Sequence, residues 1–355
     1  MDSSIVNNPT KRLAYKYRSG DFTTLERDLV SLQNATFYAA ERHTLNDPFE
    51  GRFDRVPLDA QFDVIRGWVA ANAPTACASF DEVSDAASKV LEFVDKSGVF
   101  SLSYNPLQEL IWAHYGGSHR GFCIGYDLEK LVEFEPNVHH FLDVQYSNTA
   151  PAILPADLIK SESHFDVLTK MLGVKSKPWA YEEEVRVITT PPGLHEHDYR
   201  AVKVVYFGLR CTKITQHSVM EALAGRDVVY EQVISQPSSY SLHTEKLPDK
   251  YKSAPRYRQN VAPINDGAIY LDYLKPEQKQ YADYLYKAAE IVRREPYCQE
   301  VSTVDFSSSR SKPGNPIIYV QYIRAPNKWF NHYLSLAEIE KQYQALGLLK
   351  NEVKN

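Results

Sequence analysis

The sequence predicts an α+β fold: a mixed or antiparallel sheet core with flanking helices, followed by a small C-terminal helix-strand-helix module. Three observations predict it. Helical periodicity dominates early and strand-like runs dominate later, with few of the alternating βαβ units that a doubly wound sheet requires. Hydrophobic residues make up 43% and charged ones 24% of 355 residues, enough to bury a real core. After Glu245 the composition shifts: from Lys246 on, 17 Lys/Arg oppose 12 Asp/Glu, although the whole chain carries −5. The acidic part, 1–245, is therefore expected to be the core domain, 246–265 a linker or wrapping arm, and 266–355 a separate small α/β module.

Taken in order, Leu13-Ala-Tyr-Lys-Tyr-Arg18 reads as a strand that turns at Ser19-Gly20. Asp21 caps a helix to about Leu32, with Leu25, Leu29 and Leu32 at helical spacing. Thr36–Ala40 is a second strand, leading into a Leu45-Asn-Asp-Pro-Phe-Glu50 loop. Helices are predicted over 59–72 and 81–96, then a strand at Val99–Ser103 and a helix opened by Pro106 and closed by Gly116-Gly117. Strands Gly121–Tyr126 and Phe141–Tyr146 flank a short helix at Leu128–Phe134, and Pro155–Leu172 is a further helix. Strands follow at Glu184–Thr190, Val202–Phe207, Val228–Ile234 and Tyr240–Glu245, with a helix near 213–224. In the tail, Pro276–Glu295 reads as a helix, Ile317–Ile323 as a strand, and the capping box Ser335-Leu-Ala-Glu338 starts a helix ending at Gly347.

Several classes are excluded. The four cysteines are too scattered for a metal or redox motif and suit free thiols in a reducing compartment. The polar start Met1–Asn8 lacks the plan of a signal peptide, and no apolar run approaches the ~20 residues of a membrane span, so a cytoplasmic location without membrane contact is expected. No Gly-x-Gly-x-x-Gly, phosphate-cradling Gly-Lys loop or Gly-x-Ser-x-Gly elbow occurs. His139-His140 reads as surface, no metal site is predicted, and Trp112 and Trp179 read as packing.

Chemistry concentrates in three segments. Tyr17-Arg18 ends the first strand, and Asn46-Asp47 follows the second. Ser101 and Ser103 lie on a strand upstream of His114, Tyr115 and His119. Glu182, Glu184 and Arg186 alternate at the start of a strand and so share one face, where two carboxylates and a guanidinium need partners or a ligand. Arg18 can serve as an ion-pair partner for Glu182 or Glu184, and Asn46-Asp47 as a self-stabilising turn. His114 falls on the same helix side as Leu107, Leu110 and Ile111, and His119 in a loop able to touch an anion.

These motifs, namely Tyr15–Arg18, Asn46–Glu50, Trp112-Ala-His-Tyr-Gly116 with His119, Gly121–Gly125 and Tyr181-Glu-x-Glu-x-Arg186, resemble over about 11–245 a bacterial family known as domain of unknown function 2971. The resemblance implies no reaction, although members often lie among phage-defence and mobile loci, which implies an abortive-infection role. A second resemblance is to Arg-Ser-Glu ADP-ribosyltransferases, through Arg18, the Ser101-x-Ser103 strand and Glu182-x-Glu184; Leu102 stands where that pattern has Thr. It implies NAD as substrate, with Arg18 on a phosphate and Ser103 on the nicotinamide wall, orienting the last glutamate. Glu184 would then face the oxocarbenium-like ribose, and Glu182 would steer a macromolecular acceptor, protein or nucleic acid. Two other readings stand beside it. One is a nuclease or hydrolase using Asp47, His114, Glu182 and Glu184. The other is a non-catalytic ligand sensor or partner-binding module. The basic, Tyr-rich tail suits a solvated surface, nucleic acid or a partner protein.

Overall fold

The structure, a computed structural model, describes residues 13–135, 139–159 and 163–348. The polar N-terminal segment and the middle of the predicted 155–172 helix lie outside these residues. The chain divides into two units, Met1–Ser253 and Ala254–Asn355, rather than at 245 with a free arm.

In the first unit, β1 (Leu13–Arg18) turns into α1 (Phe22–Asn34), where Asp21 caps the helix by accepting from the Thr23 and Thr24 amides at 3.1 and 3.0 Å. Next come β2 (Thr36–Glu41), α2 (Val56–Asn72), α3 (Cys77–Asp95) and β3 (Gly98–Ser103). The helix expected from Pro106 is α4 (Glu109–His114), because Gln108, not proline, caps it by accepting from Leu110 N at 2.6 Å. After β4 (Phe122–Asp127) and α5 (Leu128–Val132), the strand expected at 141–146 is two, β5 (His139–Asp143) and β6 (Gln145–Ser147). α6 (Pro155–Ile159) and α7 (Ser163–Leu172) lead to β7 (Val174–Ser176), β8 (Glu184–Thr189), β9 (Gly193–Glu196) and β10 (Val202–Phe207). The unit closes with α8 (Lys213–Ala222), β11 (Val229–Ser235) and β12 (Leu242–Leu247). All four cysteines are free thiols, Cys123 and Cys298 buried.

The predicted α+β class is borne out by a ten-stranded mixed sheet in the order β12-β11-β10-β4-β1-β3-β2-β9, with β8 joining β3 to β5. Only β10 and β11 run parallel within it. One face buries Phe100, Leu102, Val185 and Val187 under α1, α5 and α8. The other packs Val99, Leu142 and Ile188 against apolar residues of α2, α3 and α7.

One irregularity in the sheet makes room for a site. β8 pairs β3 along its whole length, from Gly98 to Ser103. On the opposite edge, β1 is in strand register with β3 only at Ser103, opposite Tyr15, and β2 only at Gly98 and Val99. β1 and β2 therefore splay apart, and the middle of that edge of β3 lacks a strand neighbour. Glycines hold the end of β1 in place. A Cβ on Gly121 would stand 1.8 Å from the Arg18 carbonyl oxygen, and one on Gly117, at φ +56°, would stand 2.2 Å from Ser19 O.

In the second unit the expected Pro276–Glu295 helix is shorter, α9 (Ala282–Val292). The helix-strand-helix plan is corrected to a helix, a three-stranded antiparallel sheet and a helix: β13 (Glu300–Phe306), β14 (Ile317–Ala325), β15 (Lys328–Ser335) and α10 (Leu336–Ala345). The predicted capping box at Ser335 and Glu338 is present. The core of this unit takes in Ala262 and Ala268, so part of the expected linker is structural.

Candidate active site

A cavity of about 460 Å³ opens where β1 and β2 part, within the usual size range of small-molecule sites. Register decides which wall each residue supplies. Directly paired residues share a face, so Tyr15, Ser101, Ser103, Glu184 and Arg186 lie on one side of the sheet and Lys16 and Arg18 on the other. All seven line the cavity, which therefore passes through the sheet between the splayed strands.

On the Glu184 side, a continuous chain of hydrogen bonds ties four segments together. Asn46 Nδ2 donates to Tyr115 Oη at 2.7 Å, and Tyr115 donates to Glu182 Oε1 at 2.8 Å. Lys175 Nζ bridges Glu182 Oε2 at 2.6 Å and Glu184 Oε2 at 3.2 Å. Arg186, fully buried, donates from Nε to Glu184 Oε1 at 2.8 Å and grips both Glu50 oxygens at 2.5 and 2.8 Å. Its remaining donors go to Leu172 O at 2.7 Å and Glu184 Oε2 at 3.2 Å. Glu182 is not on the strand: it ends a 3-10 turn, and Glu183 in the left-handed region (φ 44°) redirects the chain. The two carboxylates consequently converge on Lys175, which sits 4.7 Å from the Trp179 ring centre.

The same cluster separates the carboxyl pKa values. Burial raises Glu182, with Glu184 adding to the shift and Lys175 opposing it. Burial would also raise Glu184, but the Arg186 and Lys175 charges, with Ser101 hydrogen-bonded to it, hold it at about 2. Lys175 goes up, because the two glutamates outweigh its desolvation. Glu184 is thus an ionised carboxylate and Glu182 the more basic one, which is the pattern of a pair with divided roles.

On the Arg18 side, Arg18 pairs with Asp28 of α1 (Nη1–Oδ1 3.6 Å), not with Glu182 or Glu184 as its position in sequence permits. Lys16 Nζ donates to Ser101 O at 2.8 Å and lies 4.9 Å from the Phe100 ring centre. Burial, then the charge of Arg18, lowers its pKa to about 7.

Of the residues singled out from sequence, Arg18, Asn46, Ser103, Tyr115, Glu182, Glu184 and Arg186 line this cavity. Three do not. His114 is exposed, because Ile111 and Trp112 form the inward side of α4 in place of the Leu110–His114 side. Asp47 is buried in its own loop, accepting from Phe49 N at 2.9 Å, the turn alternative. His119 stacks on Trp112 at 6.0 Å. A metal held by Asp47, His114, Glu182 and Glu184 is therefore not assembled, and among the described residues no group of three or more His, Cys, Asp or Glu could hold one. Ser103 is engaged by Asn105, and the serine that helps to lower the Glu184 pKa is Ser101.

Sequence reasoning missed Lys16, Asp28, Glu50 and Lys175. Glu50 had a signal, since it ends the Asn46–Glu50 motif. Lys175 had none, because its three-residue strand pairs only with β6.

No curated protein and no solved structure matches the chain. Among the described residues, no helix is long and apolar enough to cross a membrane. A family model does match, over residues 111–187, which contain Tyr115, Lys175 and the Glu182–Arg186 face but neither Arg18 nor Asn46. That match bears out the first resemblance drawn from the motifs: over these residues the chain is similar to the family described as Protein of unknown function (DUF2971).

Proposed function

We propose that the first unit is an ADP-ribosyltransferase-like enzyme that takes NAD and modifies a macromolecule, acting in the bacterial cytoplasm as a toxin-type or antiviral effector. One observation carries this reading: Arg18, Ser101, Ser103, Glu182 and Glu184, from three strands and a turn, line a single ligand-sized cavity. The charges suit the chemistry. Arg18 offers a guanidinium to a phosphate. Glu184, ionised and fixed by Arg186 and Lys175, stabilises positive charge developing on a ribose as the C1′–N bond breaks and its electron pair leaves with nicotinamide. Glu182, the more basic carboxylate, accepts the proton of the acceptor O–H or N–H as the new bond to C1′ forms.

The test is release of nicotinamide from NAD by the full chain, with cell extract supplied as acceptor. Wild type should turn over, and E184A should lose about 10²–10³-fold in kcat, the usual loss when one electrostatic stabiliser is removed. NAD binding without turnover would instead make the first unit a ligand sensor, and absence of both would end the reading.

A second reading concerns the other unit, where we propose a single-stranded nucleic-acid surface. The face of its sheet opposite the buried Ile318, Val320 and Tyr322 carries Tyr319 paired with Tyr333 at 5.4 Å between ring centres. Arg310 lies 3.6 Å over Tyr333, and Trp329, on the same face, is 55% exposed. Aromatic rings beside a guanidinium stack bases with little regard to sequence.

A further inference from the structure

Asp28 is the carboxylate of the cavity that the Glu182–Arg186 network leaves unused. It lies on the inward side of α1, is 3% exposed, and both its neighbouring cations approach the same oxygen: Arg27 Nη2 at 3.2 Å and Arg18 Nη1 at 3.6 Å from Oδ1. Its other oxygen, Oδ2, is buried without a hydrogen bond, and so is Arg18 Nε. A buried acceptor and a buried donor, each unmet, stand on paired residues in one cavity. Buried polar atoms normally have partners, so the pair asks for a ligand group that both donates and accepts. A hydroxyl adjoining a phosphate does both.

We propose that Asp28 and Arg18 form a ribose-phosphate subsite in which Asp28 accepts the hydroxyls of the adenosine ribose of NAD. The inference rests on the nucleotide reading above. Which ribose follows from register: Arg18 is on the sheet face opposite Glu184, so with Glu184 at the nicotinamide ribose and Arg18 at the phosphates, Asp28 meets the distal sugar. It follows that Asp28 is a specificity-determining residue. A 2′-phosphate there would bring a second anion against the carboxylate, so NADP is rejected.

Calorimetric titration of the full chain with NAD, NADP and NAD lacking the adenosine 2′-hydroxyl tests this. Wild type should bind NAD about tenfold or more tightly than either analogue. D28N should weaken NAD about tenfold and bring the three ligands within about threefold of one another. If wild type binds NAD but tolerates both analogues equally well, the subsite is overturned while the nucleotide reading stands, and this arm needs no variant to fold. The subsite is overturned likewise if a folded D28N keeps wild-type affinity and preference. If wild type binds no NAD, the nucleotide reading and the subsite fall together.

Discussion

Lys16 shows how one side chain can be unremarkable in sequence and unusual in place. It sits between two tyrosines in a strand, a position where a lysine ordinarily reaches solvent. The splay of β1 and β2 instead half-buries it, and its amine feels the charges of Arg18 on its own strand, Asp28 on α1, and Glu182 and Glu184. Desolvation comes first among the causes that lower its pKa to about 7 from the usual 10.5. Between those values the unfolded chain binds more protons than the folded one, so Lys16 adds stability as pH rises through that window and withholds it below. The unfolding free energy of wild type minus that of K16M should thus rise from pH 7 to pH 9, by at most about 1.4 kcal/mol per unit, and stay level below pH 6. Urea titrations at several pH values give the difference directly, and a flat profile would show the amine to be solvated.

At the scale of elements, the loop after β2 and the turn before β8 carry the site, and both were legible, though not for the reason that makes them matter. Asn46-Asp-Pro-Phe-Glu50 reads as a loop from its turn chemistry, and the Glu182-x-Glu184-x-Arg186 alternation reads as a polar strand face. Their join is tertiary: Asn46 holds one end of the hydrogen-bonded chain through Tyr115, and Glu50 holds the other through Arg186. Turn chemistry already allowed Asp47 to face its own loop, but no local pattern announces that α4 begins late and turns His114 outward. The same chain gives the loop two unequal ends. E50A leaves the buried Arg186 without its bidentate partner and should cost about 3–5 kcal/mol, whereas N46A, at an exposed rim, should cost under about 1. Adding R186M to E50A should recover part of the loss, since it removes the unpaired charge. Equal costs for the two single variants would mean that Glu50 does not anchor the network.

For the molecule as a whole, charge and composition located the change of character near Glu245 but not the boundary itself. β12 continues to Leu247, and Ala262 is already in the second core, because strand pairing and burial, which no composition window registers, decide where a unit ends. The strands β13 and β15 were missed for a related reason: Glu300–Phe306 and Lys328–Ser335 alternate polar and apolar residues too weakly, and only pairing with β14 fixes them. Each unit nevertheless owns a separate set of core residues, with Leu247 and Tyr251 packing in one and Ala262 to Ile339 forming the other. Two chains cut between Ser253 and Ala254 should each unfold cooperatively, and the two proposed activities should part with them. NAD affinity should stay with 1–253 and nucleic-acid affinity with 254–355. The latter should fall as salt rises, because 254–355 carries 14 Lys/Arg against 11 Asp/Glu. A Y333A substitution should weaken oligonucleotide binding by about 1–3 kcal/mol while leaving the salt slope unchanged, since it removes a stacking platform and no phosphate contact. Loss of the slope together with the affinity would assign Tyr333 to the fold of the sheet and not to the bound strand.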